Sequence, residues 1–171
     1  MNAIESDEDL VNGFLRRRDE ELFRLLYRRH TPRLYLFSLR LCAGNHHRAE
    51  DIVQDAWIRA VENLSTFQWR SRFSTWLNGI AFNCYREHRA KYEEPAKDPE
   101  TLLAPGKDID SSLDLEACIR RLPDGCREIF VLHDIEGYTH QEISDLLNID
   151  NGTSKSQLFE ARKRLRQSLS K

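Results

Sequence analysis

The stretch Tyr138 to Arg166, YTHQEISDLLNIDNGTSKSQLFEARKRLR, constrains this chain more than any other, because it spells two helices separated by a turn of only a few residues. Thr139 followed three residues later by Glu142 is a capping box: the hydroxyl accepts an amide hydrogen of the first turn and the carboxylate reaches back to the cap amide, so a helix starts at Thr139. Ile143, Leu146 and Leu147 recur at helical spacing, and Asn148 suits the left-handed conformation that ends a helix before Ile149 turns inward. Asp150 is placed to cap a second helix, in which Leu158, Ala161, Leu165 and Leu169 form an apolar stripe behind Ser154. Gly152, having no side chain, is expected to let the two helices approach closely. Lys155, Ser156, Phe159 and Arg162 fall on the opposite face.

This second helix and its tail carry Lys155, Arg162, Lys163, Arg164, Arg166 and Lys171 against the single acid Glu160. A helix-turn-helix whose second helix is basic suits a DNA duplex, with early residues reaching base edges and later cations holding phosphates. The bland alternative is a solvated, charged terminal helix; a capped pair with a short turn weighs toward DNA. The chain's net charge of -2 is no obstacle, since the signs are strongly segregated along the sequence.

At 171 residues the chain suits one ordinary domain or two small helical ones, and two is the reading adopted. No apolar run approaches the ~18 residues of a membrane span, and the first nine residues are acidic rather than signal-like, so a cytoplasmic protein is expected. Cys42, Cys84, Cys118 and Cys126 form no C-x-x-C pair and read as reduced, packed thiols, with a redox or zinc site from Cys118, Cys126 and His133 as the lesser alternative. Adjacent His46 and His47 lack partner ligands at metal spacing, so no metal or other cofactor is expected.

From the N-terminus, helices are expected over Asp7 to Arg18 and Glu20 to Arg29, with Pro32 beginning or kinking a third that runs from Arg33 to Cys42. A loop from Ala43 to Arg48 precedes a strong helix, Ala49 to Leu64, with Ile52, Val53, Ala56, Trp57, Ala60 and Val61 inside and Asp51, Gln54, Asp55, Arg59 and Glu62 outside. Phe67, Trp69, Phe73, Trp76, Phe82 and Tyr85 then interleave with Arg70, Arg72, Arg86 and Arg89. Aromatics among arginines suit unpaired bases, each stacked base contributing ~1–3 kcal/mol, but core packing competes with that reading and is favoured for Trp76 and Phe82. Residues 93–112 form an acidic, proline-bearing linker between an all-α first domain, 1–92, and a four-helix second domain, 113–171. The second opens with helices over Leu113 to Leu122 and Arg127 to Ile135, the latter ended by Gly137.

AEDIVQDAWIRA, STFQWRSRFSTWLNGIAFN, LPDGCREIFVLHDIEGYTHQEISDLLNI and GTSKSQLFEARKRLR, in that order and at normal spacing, resemble the blocks of the extracytoplasmic-function (ECF) class of bacterial sigma factors, over nearly the whole chain. The resemblance implies a dissociable subunit that binds core RNA polymerase through Asp51, Gln54 and Asp55. It implies a first domain that opens the minus-ten promoter element, with Phe67, Trp69, Arg70, Phe73 and Asn83 around a flipped base and Arg86, Arg89 and Lys91 along the strand. It implies a second domain that reads the minus-thirty-five element through Lys155, Ser156, Phe159, Arg162 and Arg166, and an anti-sigma factor as the inhibitor. Ser154 stands where that family has an aliphatic residue, so a weaker motif core is expected; Gln157 and Glu160 stand where it has basic residues, and Trp69 and Arg70 where it has a basic-glycine pair, so the family's base preferences do not carry over to this chain. Glu160 is expected either to repel phosphate or to accept from a cytosine amino group.

The linker's reach bears on this reading: about twenty residues span at most ~70–75 Å extended and average only ~25 Å when flexible. Two promoter elements two turns apart lie ~70 Å from one another. Simultaneous contact therefore requires polymerase to hold the linker open, with Asp98, Glu100, Asp108 and Asp110 in a basic channel; free in solution they are expected to fold back on Arg162 to Arg166. A free-standing helix-turn-helix regulator is the alternative function. An enzyme would need a nucleophile, base and orienting acid in one motif, and none is present.

Overall fold

The computed structural model describes residues 6–92 and 111–170, and among them every regular element is helical. They form two compact units, the first of residues up to 38 with 46–91, the second of residues 39–45 with those beyond 91. The acidic stretch expected as a linker lies outside the described residues, except that 111 and 112 already belong to a helix.

The first unit is built on α1 (Asp7–Arg17), α2 (Glu20–Leu41) up to Ser38, α3 (His46–Asn63) and α4 (Phe73–Tyr92). Ser6 caps α1 in a capping box with Asp9, and Arg18 ends it in the left-handed region. Pro32 neither begins nor ends a helix: α2 runs through it as one element. The reason is visible in the buried positions Leu22, Leu26, Leu34 and Phe37, with His30 between, which continue a single stripe at spacings of three and four past the proline. Burial of that stripe outweighs the one backbone hydrogen bond that Pro32 cannot donate. α3 starts at His46, earlier than expected, and packs Ala49, Ile52, Val53, Ala56, Trp57 and Ala60 inward. Val61, expected inside, is exposed. The Trp57 indole donates to Thr31 Oγ1 at 3.0 Å, satisfying its one polar atom inside the core. α4 closes the unit with Phe73, Leu77, Ala81, Phe82, Cys84 and Tyr85 buried.

The second unit contains α5 (Ser111–Arg120), α6 (Asp124–Phe130), a π turn (Val131–Ile135), α7 (His140–Leu147) and α8 (Asn151–Leu169). α8 packs against α5, α6 and α7, so it is the element around which the unit closes. Its Leu158, Ala161 and Leu165 are buried, as are Ile119, Leu122, Ile129, Val131, Leu132 and Ile143 of the elements before it. Leu169, the expected last member of that stripe, is half exposed. The buried Arg127 guanidinium donates to the Leu122 carbonyl at 2.7 Å and pairs with Asp124, so the α5–α6 corner is pinned by charge-assisted bonds rather than by apolar contact alone.

Candidate nucleic-acid and polymerase interfaces

The helix-turn-helix forms as its capping residues dictate. Thr139 Oγ1 accepts from the Glu142 amide at 3.2 Å while Glu142 Oε2 accepts from the Thr139 amide at 2.7 Å. Those bonds from Thr139 hold the Glu142 carboxyl below its usual range. Asn148 ends α7 at φ +54°, and Asp150 adopts N-cap backbone geometry without a side-chain cap bond. Gly152 does not serve close approach: a Cβ there would meet nothing within 4 Å. A tight contact on α8 is found at Gly125 of α6, not within the helix-turn-helix pair: a Cβ there would lie 3.1 Å from the Gln157 carboxamide.

Lys155, Ser156, Phe159, Arg162 and Arg166 are all exposed on α8, Phe159 at 65 %. Lys155, Phe159, Arg162 and Arg166 border one groove of about 570 Å³ floored by Phe130, Leu158 and Leu165. Three departures from the family pattern thereby acquire places. Ser154 is fully buried, and its hydroxyl meets His140 Nδ1 at 2.8 Å, so the polar atom in the motif's core is satisfied. Gln157 turns inward and accepts from the Cys126 thiol at 3.2 Å. Glu160 accepts from Arg164 at 2.8 Å and lies 3.9 Å from Lys163, which neutralises much of its charge along the helix. Asp134 and His140 carry no local sequence signal, because their partners Arg162 and Ser154 lie far from them along the chain. Among the described residues no three potential ligands converge on a metal position, and His133 is occupied by Asp134 at 2.8 Å.

In the first unit, Phe67 stacks on Trp76 with centroids 4.6 Å apart and tilts against Trp69 at 4.7 Å, all three over Phe73. Phe73 is only 2 % exposed, so it is the floor of this cluster and not a surface open to a base. Trp69 has φ +55°, a left-handed backbone that a bulky residue adopts only under restraint from its surroundings. Arg70 is exposed beside it. Asn83 and Arg86 are exposed on α4, Arg89 is half-buried, and Lys91 is exposed at the helix end.

On α3, Asp51 and Gln54 face solvent. Asp55 is not free: its Oδ2 lies 2.7 Å from His88 Nε2, and beside it Arg59 donates to both carboxylate oxygens of Glu87, at 2.8 and 2.5 Å. The Arg59 bond lowers the Glu87 carboxyl. Ile58, 52 % exposed, and Val61 continue the Asp51–Gln54 face at spacings of four and three, giving it an apolar end that the polar pattern concealed.

Two segments match models of the sigma-70 proteins: residues 26–93 match sigma-70 region 2 and residues 112–165 match sigma-70, region 4. The chain is 33 % identical to the ECF RNA polymerase sigma factor SigW of Bacillus subtilis, covering 88 % of this chain and 90 % of that protein. It is 34 % identical to SigE of Mycolicibacterium smegmatis, over 85 % of this chain but 61 % of the length of that relative. The solved sigma factor RpoE of Bartonella quintana, in complex with the anti-sigma factor NepR, shares the fold at a TM-score of 0.65 and 23 % identity, covering 86 % of this chain and 96 % of that one. Two sigma-70 regions in one helical chain define a sigma subunit of the sigma-70 class. Within it, this chain belongs to the ECF RNA polymerase sigma factors, which direct promoter recognition and the start of transcription.

Proposed function

We propose that the chain is a dissociable initiation subunit that does no catalysis of its own, works in the cytoplasm and is restrained by an anti-sigma factor. Asp51 and Gln54, extended by Ile58, dock on core polymerase, with Asp55 contributing through its outward edge. The Phe67, Trp69 and Arg70 loop on its Phe73 floor, together with Asn83, holds an unpaired base of the minus-ten element, and Arg86 and Arg89 follow the strand. Phosphate attraction and aromatic stacking supply affinity there, and the Asn83 amide supplies a base edge. Residues 1–92 thus serve the minus-ten element and the polymerase clamp, and 113–171 the minus-thirty-five element, with 93–112 between them.

The observation that carries this reading is α8, which buries Leu158, Ala161 and Leu165 on one side and exposes Lys155, Ser156 and Phe159 on the other, as a helix entering a major groove requires. With core polymerase bound, a selection over duplexes randomised in the upstream element tests it. Lys155→Ala should cost ~1–3 kcal/mol at the selected sequence and relax one base preference, whereas Arg166→Ala should weaken all sequences alike. Identical selected profiles for wild type and the Lys155 variant would contradict the assigned face.

A further inference from the structure

Arg162 does not stand alone on α8. Its Nε and Nη2 donate to the two carboxylate oxygens of Asp134 at 2.8 and 2.6 Å. Asp134 also meets His133 Nδ1 at 2.8 Å, the His133 ring stacks on His140 at 4.5 Å, and His140 reaches buried Ser154. The π turn thus holds α8 directly at Arg162, and the His133 ring backs His140 of α7, which holds α8 two turns away at Ser154. The Asp134 side chain is 21 % exposed and that of Arg162 49 %, so the pair sits at the edge of the groove beside Lys155 and Phe159 with the rest of the guanidinium in solvent. The bond from Arg162 holds the Asp134 carboxyl below its usual range against the opposing effect of burial, with His133 assisting, so the carboxylate stays charged in mild acid.

Resting on the reading of α8 as the promoter-reading helix, we propose that Asp134 is a positioning residue for that reading: it fixes Arg162 in one orientation so that the three N–H groups it leaves unused meet the duplex. A guanidinium held in advance loses less rotamer freedom on binding than a free one, and its fork is aimed rather than averaged. Electrostatics without this role predicts the opposite sign. Removing a carboxylate beside a basic helix should strengthen binding to every duplex, because phosphate attraction is indifferent to sequence.

The test uses the full chain assembled with core RNA polymerase, a duplex enriched by the wild type from a library randomised in the upstream element, and a scrambled duplex. Asp134→Ala should lower the ratio of the two affinities about tenfold, the size of one lost specific contact, while binding to the scrambled duplex is unchanged or rises. Arg162→Ala and the double variant should give the same ratio as each other, since Asp134 acts only through Arg162. Asp134→Asn keeps the side-chain shape and one acceptor oxygen; its ratio should fall about threefold, and it decides the question if the alanine variant melts early. An unchanged ratio, or equal strengthening of both duplexes, overturns the proposal. A wild type that enriches no sequence at all defeats the promoter reading itself, and the inference with it.

Discussion

The two units hold the side chains at their surfaces by different means, half-buried rings in the first and exposed helical residues in the second. In the first, Phe67, Trp69 and Trp76 rest on Phe73, which is itself core, and the loop accepts a left-handed tryptophan to keep the rings together. In the second, the exposed residues ride on a regular helix and are steered from outside it by ion pairs and histidines. A stacking surface takes its shape from packing, so it is exposed to any change in the core beneath it. A groove-reading surface takes its aim from charge, so it is exposed to pH and to neighbours distant in sequence.

The largest effect that would break this contrast lies at the aromatic floor. Phe73→Ala should destabilise the first unit by ~3–5 kcal/mol in chemical denaturation, as for other fully buried aromatics, whereas Phe159→Ala on α8 should fall within ~0.5 kcal/mol. Equal costs would mean that Phe159 is packed more tightly than its exposure shows. The start of the helix-turn-helix should be less sensitive: Thr139→Ala removes one capping bond and should cost ~1 kcal/mol, visible as an earlier thermal transition of the second unit.

The smallest effect is in pH. Asp134 has a folded-state value below its unfolded one, so its contribution to stability is fully present above the ordinary carboxylate range and is lost as pH falls through the depressed value. His140 is also lowered, by burial first and then by His133, Lys155 and Arg162, so its neutral form favours the fold and stability declines as pH drops below the usual imidazole range. Acid titration of the second unit should therefore show a His140 step first and then a carboxylate step to which Asp134 and Glu142 both contribute. Asp134→Asn should shrink the lower step while leaving the Glu142 part, and a titration unchanged by that variant would sever Asp134 from the steering of α8.

Much of this was legible in the residues. Thr139, Glu142 and Asn148 specify the ends of α7 through their own side chains, and local rules of that kind need no tertiary information. The Pro32 boundary failed because a local rule was outweighed by a stripe of buried residues extending on both sides of it. Gly152 misled in the opposite way: absence of a side chain permits close approach without requiring it, and the tight contact on α8 is made by Gly125 of α6 instead. Phe73 looked like its aromatic neighbours because composition does not say which ring is floor and which is surface. Asp134 was illegible, since its partner Arg162 lies 28 residues away and nothing in either residue's local sequence names the other.

This chain directs RNA polymerase rather than acting by itself on DNA. The most direct measurement mixes the purified chain with core polymerase, resolves the mixture by size-exclusion chromatography and assays transcription from duplexes enriched by the complex. The expected outcome is comigration with the core enzyme, defined start sites that require both components, and weak, poorly selective duplex binding by the chain alone. Tight, sequence-specific binding by the free chain with no association with polymerase would contradict it and would establish a free-standing helix-turn-helix regulator instead.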